Sequence, residues 1–409
     1  MHKLKILVLI IFITSFKSVR SQNKELITSI NSSLIDIDNS NPEYPFKEPF
    51  KLKDIFQNVK IFGFGEATHG TKEFQDLKDK FFRYLVFNCN VKTLAIEANY
   101  SDCLAINSYI KNEEKLNPKD LLNKIGYWIW NTNETLSLIE WMKLYNSTQN
   151  KENQLTFIGI DVLNCQNATD ILYKYLQSNS SPNNQKYLTV LNNYVSKNNL
   201  TKLRKKDFEE HYLILKSLEL ELKHLKDPYL WQLNNSILQY ISMKLNYTQS
   251  HRDELMFENV NWLVENSNNN IFICAHNSHI KKNNISFTSL GYRLKNKYSE
   301  KYYSAGFDFG SGSFNAWDIV NNKIKKYSIH EPLEKTSTEV FNNASSDIYF
   351  LDFHKSNLSP LLNEFVMSKV LYRDIGSTYS PKMIQKEKLK EAFDGIIFIK
   401  KSSESSLLN

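Results

Sequence analysis

A glutamate and a histidine stand three residues apart in Gly65-Glu66-Ala67-Thr68-His69-Gly70, directly after the apolar run Val59–Phe64. A carboxylate beside an imidazole fixes the tautomer of the ring and makes its far nitrogen a general base for water. A second histidine pair, in Ala275-His276-Asn277-Ser278-His279, follows the apolar run Ile271–Cys274. Either of these rings could act as an acid or stabilise a developing oxyanion. Glu97 ends another apolar run, Val91–Ile96. The same five groups, Glu66, His69, Glu97, His276 and His279, also suit a divalent metal, since imidazoles and carboxylates ligate Zn, Mn or Fe. Glu-x-x-His and His-x-x-His are too short to decide between acid–base work, metal binding and a structural histidine capping a turn. The chain has no Gly-x-Ser-x-Gly elbow, which leaves an α/β-hydrolase serine nucleophile unsupported.

These residues need elements to hold them, and the chain repeats one pattern. Short runs rich in Ile, Val, Phe and Leu end in a polar residue, and helical stretches separate them. Val59–Phe64 leads to Glu66, Leu155–Ile160 ends in Asp161, and Ile271–Ala275 ends in His276. Tyr302–Phe307 ends in Asp308, Ile348–Leu351 in Asp352, and residues 394–399 read as a last strand. Near-continuous apolar runs suit strands buried on both faces, and alternation with helices implies right-handed βαβ crossovers. The expected class is α/β, with a mostly parallel central sheet flanked by helices. In such a sheet chemistry gathers outside the carboxyl ends of the strands. Glu66, His69, Glu97, Asp161, His276, His279 and Asp308 would then share one edge and converge in one cleft.

Phe74, Leu77, Phe81 and Leu85 mark a helix over residues 71–87, with Thr71 as its cap. Residues 185–250 are polar, helix-periodic and free of strand-like runs. They read as a helical insertion that forms a wall or lid. Residues 22–54 read as a helix and loop leading into a catalytic domain over residues 55–400. The tail from Lys401 to Asn409 is expected to be disordered.

The first 21 residues resemble a secretory signal: Lys3 and Lys5, an apolar centre from Ile6 to Ile13, and Val19-Arg20-Ser21 before Gln22. This predicts a secreted or periplasmic protein with no membrane attachment once the segment is cut. Its removal leaves 47 basic against 44 acidic residues, a net charge of +3 instead of +7. That is too little to argue for nucleic acid as a partner. In 409 residues, 41% apolar and 13% aromatic, there is ample material for a large core. Four cysteines, at positions 89, 103, 165 and 274, form no CxxC pair, so no zinc ribbon or redox motif is present.

With these residues in view, the chain resembles the erythromycin esterase family. The likeness runs from Gly65-Glu66-Ala67-Thr68-His69-Gly70-Thr71-Lys72-Glu73-Phe74 through Leu94-Ala95-Ile96-Glu97-Ala98-Asn99 and Trp128-Ile129-Trp130-Asn131-Thr132-Asn133-Glu134. It continues through Gly159-Ile160-Asp161, Arg252-Asp253, Ala275-His276-Asn277-Ser278-His279, Gly306-Phe307-Asp308-Phe309 and Arg373-Asp374-Ile375-Gly376. The resemblance implies hydrolysis of a macrolide lactone by water, with His69 as base and Glu66, Glu97, His276 and His279 around it. It also implies a supporting cation at Lys78, where some relatives carry arginine and its planar fork. Family members differ in their need for a metal, so no cofactor is fixed.

Substrate contacts are expected from Glu73, Lys78, Trp130, Asn131, Asp161, Arg252 and Asp308. Tyr100, Tyr127, Trp128 and Trp141 are further aromatic candidates, with Trp130 and Asn131 as the preferred cleft wall. A small-molecule ester is the expected partner. Two other classes stay open: a metal-dependent hydrolase of another ester or a phosphate, and a non-catalytic protein that keeps the fold to bind a ligand.

Overall fold

A computed structural model describes residues 23–408 except 114–115, 180–183, 196, 226, 355–357 and 382. The proposed signal segment therefore lies outside the described residues. Eleven strands are described: β1 (Ile35–Asp36), β2 (Ile61–Phe64), β3 (Val91–Asn99), β4 (Thr156–Asp161), β5 (Asn270–Cys274), β6 (Tyr302–Asp318), β7 (Lys323–Ile329), β8 (Ile348–Asp352), β9 (Val370–Arg373), β10 (Ile384–Glu387) and β11 (Gly395–Ser402). Nine of them form one sheet with the path β4-β3-β5-β2-β6-β11-β8-β1, and β7 pairs with β6. Strands β4, β3, β5, β2, β6 and β11 run parallel. β8, β1 and β7 pair antiparallel at the margins, and β9 and β10 make a separate two-stranded ribbon. Every residue of β2 and β3 is buried, as strands covered on both faces require.

Helix α1 (Lys72–Asn88) follows β2 and lies against the sheet. Phe74, Leu77, Phe81 and Leu85 form its apolar stripe, and its charged face is buried as well. That face is satisfied by local pairs: Arg83 Nε lies 2.8 Å from Asp79 Oδ1 and Arg83 Nη1 2.6 Å from Glu43 Oε1. Thr71 stands at the N-cap position, but its side chain makes no capping hydrogen bond. Helix α2 (Asn133–Ser147) covers the same face.

A helical layer follows β4: α3 (Gln166–Ser178), α4 (Lys205–His224) and α5 (Pro228–Leu245), with two short helices between α3 and α4. It has an apolar core of its own around Tyr187, Tyr194, Leu215, Leu233 and Ile237, joined to the sheet layer through Tyr100 and Ile158. Helix α6 (Gln249–Glu265) then returns the chain to β5, which leads into the short α7 (Asn277–Ile280). Residues 185–250 supply no described strand.

Residues 403–408 are held by two helix starts, contrary to the disorder expected of the tail. The Lys72 N–H donates to the Ser403 carbonyl at 2.9 Å, and the Ser403 N–H donates to Glu73 Oε2 at 2.7 Å. Three residues on the pattern repeats. Asn133 N–H donates to the Ser406 carbonyl at 2.7 Å, and Ser406 N–H donates to the Glu134 carboxylate at 3.1 Å. The tail thus satisfies orphan donors at the N-termini of α1 and α2, which their own cap residues cannot wholly do. Among the described residues no helix is long and apolar enough to cross a membrane.

Candidate active site

Four adjacent parallel strands deliver the chemistry at their carboxyl ends. β2 hands on to the Gly65–Gly70 turn, β3 carries Glu97, β4 ends in Asp161, and β5 leads to His276. In register, Phe64 and Ile96 both lie beside Cys274, so Glu97 falls level with the start of the histidine turn. A β-bulge between Ile96 and Asn99 breaks the pairing of β3 with β4 at that point, a device that re-aims a side chain. The Glu97 Oε2 atom accepts the backbone N–H of His276 at 3.0 Å.

Close approach of the β2 and β5 turns requires glycine at position 65. A Cβ there would sit 2.1 Å from Asn277 Oδ1. That atom is already committed, since Asn277 accepts the Phe307 N–H at 3.0 Å and donates to the Phe307 carbonyl at 2.8 Å. Asn277 is therefore a clamp between the β5 turn and β6.

Glu66 is buried between two partners. Its Oε1 lies 2.5 Å from His69 Nδ1, and its Oε2 accepts from the Lys78 ammonium. Burial alone would raise its pKa, but the Lys78 charge and the His69 hydrogen bond reverse this and hold it at about 2. An ionised carboxylate only accepts, so it holds a proton on His69 Nδ1, and the neutral form of the ring then carries its lone pair on Nε2.

Burial favours the neutral form of His276. It lowers the pKa, and the nearby His69 and His279 add to that effect against Asp374 and Glu97. Its Nδ1 accepts the backbone N–H of Ser278 at 3.3 Å, so its proton belongs on Nε2. The His69 and His276 ring centroids are 5.1 Å apart. One ring offers a lone pair and the other an N–H.

His279 is the opposite case. Its Nδ1 lies 2.9 Å from Asp253 Oδ1 and its Nε2 3.3 Å from Glu97 Oε1. Burial works against its charge, but the two carboxylates outweigh it and raise the pKa to about 10. It is an imidazolium held in an ion network. Arg252 completes that network, with Nε 2.9 Å from Asp161 Oδ1 and Nη2 2.9 Å from Glu97 Oε1. Burial would raise the Glu97 pKa, yet His279 and Arg252 hold it well below the usual range.

His69, Glu97, Asp161, Arg252, His276 and His279 line one cleft of about 500 Å³. Its walls are Tyr127, Trp128, Ile129, Leu163 and Phe287, together with Asp374–Thr378 and Gln385. Lys78 lies beneath it, behind Glu66. A larger hollow of about 620 Å³ opens at the amino ends of β2 and β6. The two acids that anchor it are committed, Asp352 to Tyr303 and Asp394 to Lys282, His354 and the Ser304 N–H.

Several expected contacts lie elsewhere. Trp130 is behind the wall, donating from Nε1 to the Glu97 carbonyl at 3.1 Å with Lys78 Nζ 5.6 Å from its ring. Asn131 is used by the tail, its carbonyl accepting the Leu408 N–H at 2.9 Å. The wall is Tyr127–Ile129 instead, two residues earlier in the same turn. Glu73 binds Ser403 and has no part in the cleft. Asp308 is mid-strand, because β6 runs on to Asp318. There it is fully buried and hydrogen-bonded to Thr338 and the Phe309 N–H. Tyr100 and Trp141 pack into the core. Of residues 185–250, only Gln249 lines the cleft among the described residues, so the helical layer buttresses the sheet without covering the site.

Asp253 and Asp374 stand in the motifs Arg252-Asp253 and Arg373-Asp374, which by themselves assign neither aspartate a role. Asp253 follows Arg252 on α6, and Asp374 follows Arg373 at the end of β9, in the separate antiparallel ribbon.

A metal fits this donor set poorly. Glu66 is shared by His69 and Lys78, and both nitrogens of His279 face carboxylates. Two cations, the buried Lys78 and the partly buried Arg252, stand among the proposed ligands. Among the described residues no group of three His, Cys, Asp or Glu side chains is arranged to hold an ion.

Residues 86–402 match the family described as Erythromycin esterase. A putative hydrolase, YbfO, from Bacillus subtilis is 22% identical over 87% of this chain and 87% of its own. An erythromycin esterase type II from Escherichia coli is 22% identical, covering 90% of this chain and 96% of that protein. A solved structure described as a succinoglycan biosynthesis protein superposes with a TM-score of 0.83 at 23% identity, over 94% of this chain and 99% of that one. Since the match spans most of the chain, from β3 to the end of β11, the protein belongs to the erythromycin esterase family.

Proposed function

We propose that the protein is a carboxylic ester hydrolase in which His69 activates water for direct attack. The observation that carries this reading is the Glu66–His69 contact of 2.5 Å, with the ring lining the cleft. Glu66 keeps the Nδ1 proton in place, so Nε2 can accept only from the cleft side. Water gives a proton to Nε2 as its oxygen bonds to the ester carbonyl carbon. The carbonyl oxygen becomes an oxyanion that takes a hydrogen bond from the neutral His276 Nε2–H. The imidazolium of His69 then returns the proton to the departing alkoxide as the C–O bond breaks. One water is consumed, and acid and alcohol leave.

A cleft of about 500 Å³ falls within the range of small-molecule sites. Its floor is charged, while Tyr127, Trp128, Ile129, Leu163 and Phe287 form apolar walls. That combination suits an ester or lactone within a partly hydroxylated scaffold, the class to which macrolides belong. If the amino-terminal segment directs export, the reaction takes place outside the cytoplasm.

The test is mass spectrometry of a macrolide panel and of p-nitrophenyl acetate incubated with the wild-type protein and with His69→Asn. The expected result is a gain of one water on a macrolide, or release of p-nitrophenol, in the wild type. In the variant the rate should fall by about 100- to 10,000-fold while the fold is kept. Full turnover by a folded His69→Asn protein would exclude His69 as the base.

A further inference from the structure

Two polar atoms in the cleft lack a hydrogen-bond partner although each belongs to a side chain more than nine-tenths buried. They are His276 Nε2 and Asp374 Oδ1. They face each other at 3.4 Å without the alignment of a hydrogen bond. Buried polar groups in folded proteins are nearly always paired, so both atoms point to something that enters from the cleft. One is an N–H donor, by the tautomer that Ser278 imposes. The other is a carboxylate oxygen and only accepts. A single water or hydroxyl lying about 2.8 Å from each would satisfy both.

Asp374 is built into this place. Its Oδ2 accepts from Gln385 Nε2 at 2.6 Å, which turns Oδ1 toward the histidines. The loop that follows is tied to the catalytic turn: Ile375 N–H donates to the Ala67 carbonyl at 2.9 Å, and His69 N–H to the Gly376 carbonyl at 3.3 Å. Gly376 has φ +69°, and a Cβ there would sit 3.8 Å from His276 Nε2. Glycine thus gives the loop its left-handed turn beside that nitrogen. The His69 ring lies 5.1 Å from that of His276, centroid to centroid, and lines the same cleft as Asp374.

We infer that Asp374 is a catalytic residue that holds the attacking water, an assignment that rests on the hydrolytic reading above. In the free enzyme the water bridges Asp374 Oδ1 and His276 Nε2–H. When an ester binds, its carbonyl oxygen takes over the His276 N–H. The water stays on Asp374 with its second hydrogen directed at His69 Nε2. Asp374 accepts a hydrogen bond throughout and takes no proton, which passes from water to His69 and on to the alkoxide. The water has two hydrogens and the site supplies two acceptors. That leaves a lone pair free for the carbonyl carbon.

Asp374→Asn tests this directly. Gln385 would keep the amide oxygen of the new side chain, so its NH₂ would present a donor where the water needs an acceptor. The expected result is a fall in kcat on the order of 100-fold with KM changed less than threefold. Asp374→Ala should fall as far and recover in part when sodium formate is added, but not sodium chloride. A crystal structure of the wild type should show an ordered water within hydrogen-bond reach of both atoms, absent from Asp374→Asn. The proposal is overturned if the wild type has no such water, or if Asp374→Asn keeps kcat within twofold. Those results leave His69 as base untouched. A His69→Asn protein that still turns over would instead overturn the hydrolytic reading, and this role with it.

Discussion

Replacing Glu66 by glutamine keeps the shape of the side chain and removes its charge, while Lys78 stays buried beside it. In the folded protein the carboxyl titrates at about 2, against an ordinary value of 4.5. At 1.36 kcal/mol per unit, that difference corresponds to about 3 kcal/mol of stability at neutral pH. The folded pKa is depressed, so the contribution is present above pH 4.5 and is lost as the pH falls toward 2. Glu66→Gln should therefore unfold in urea with about 3 kcal/mol less stability at pH 7, shrinking to about 1 kcal/mol at pH 3. Tryptophan fluorescence across a urea series at the two pH values measures both gaps. Lys78→Met should also destabilise, because it strands the carboxylate. The double variant should lose clearly less than the sum, since each single change leaves the other charge buried alone. A gap that is the same at pH 7 and pH 3, or strictly additive losses, would refute the idea that Glu66 is held ionised by Lys78.

Three more outcomes follow from the geometry. His279 gains its charge on folding, with a pKa raised from 6.5 to about 10, so its contribution is complete below pH 6.5 and fades as the pH rises toward 10. Wild-type thermal stability should drop between pH 7 and pH 10, and the drop should be shallower in His279→Gln. Deleting residues 403–409 should lower Tm by a few degrees, since the starts of α1 and α2 lose the tail that caps them. Glu73→Ala should likewise lower Tm while keeping ester turnover, and should add little to the deletion because both remove the same contact with Ser403.

The strand ends were readable because a parallel sheet imposes a simple rule, an apolar run closed by a polar residue at its carboxyl edge. Glu66, Glu97, Asp161 and His276 obey it. Asp308 obeys it only on paper. Thr338, the Phe309 N–H and nearby Arg373 make a buried acid tolerable there, so the strand passes through it. Tyr127–Asn131 form turns without periodicity, and nothing local says which aromatic faces the cleft. The Ser-rich tail has the composition of a disordered end, and its order comes from Glu73, 330 residues away in sequence. Asp253 shows the same limit. Its importance lies in His279, 26 residues further along and on another element.

The sheet order has a consequence for how the molecule is made. The last described strand, β11, inserts between β6 and β8 rather than adding to an edge. β2, formed early, waits for β5 and β6, made more than 200 residues later, to fill both its sides. Such pairings close long loops before any contact rewards them, which slows folding and leaves strand edges exposed meanwhile. Glu66 and His276 meet only when those long loops have closed. A chain ended between Asp374 and β11 would hold every catalytic residue but lack the strand that fills the sheet between β6 and β8.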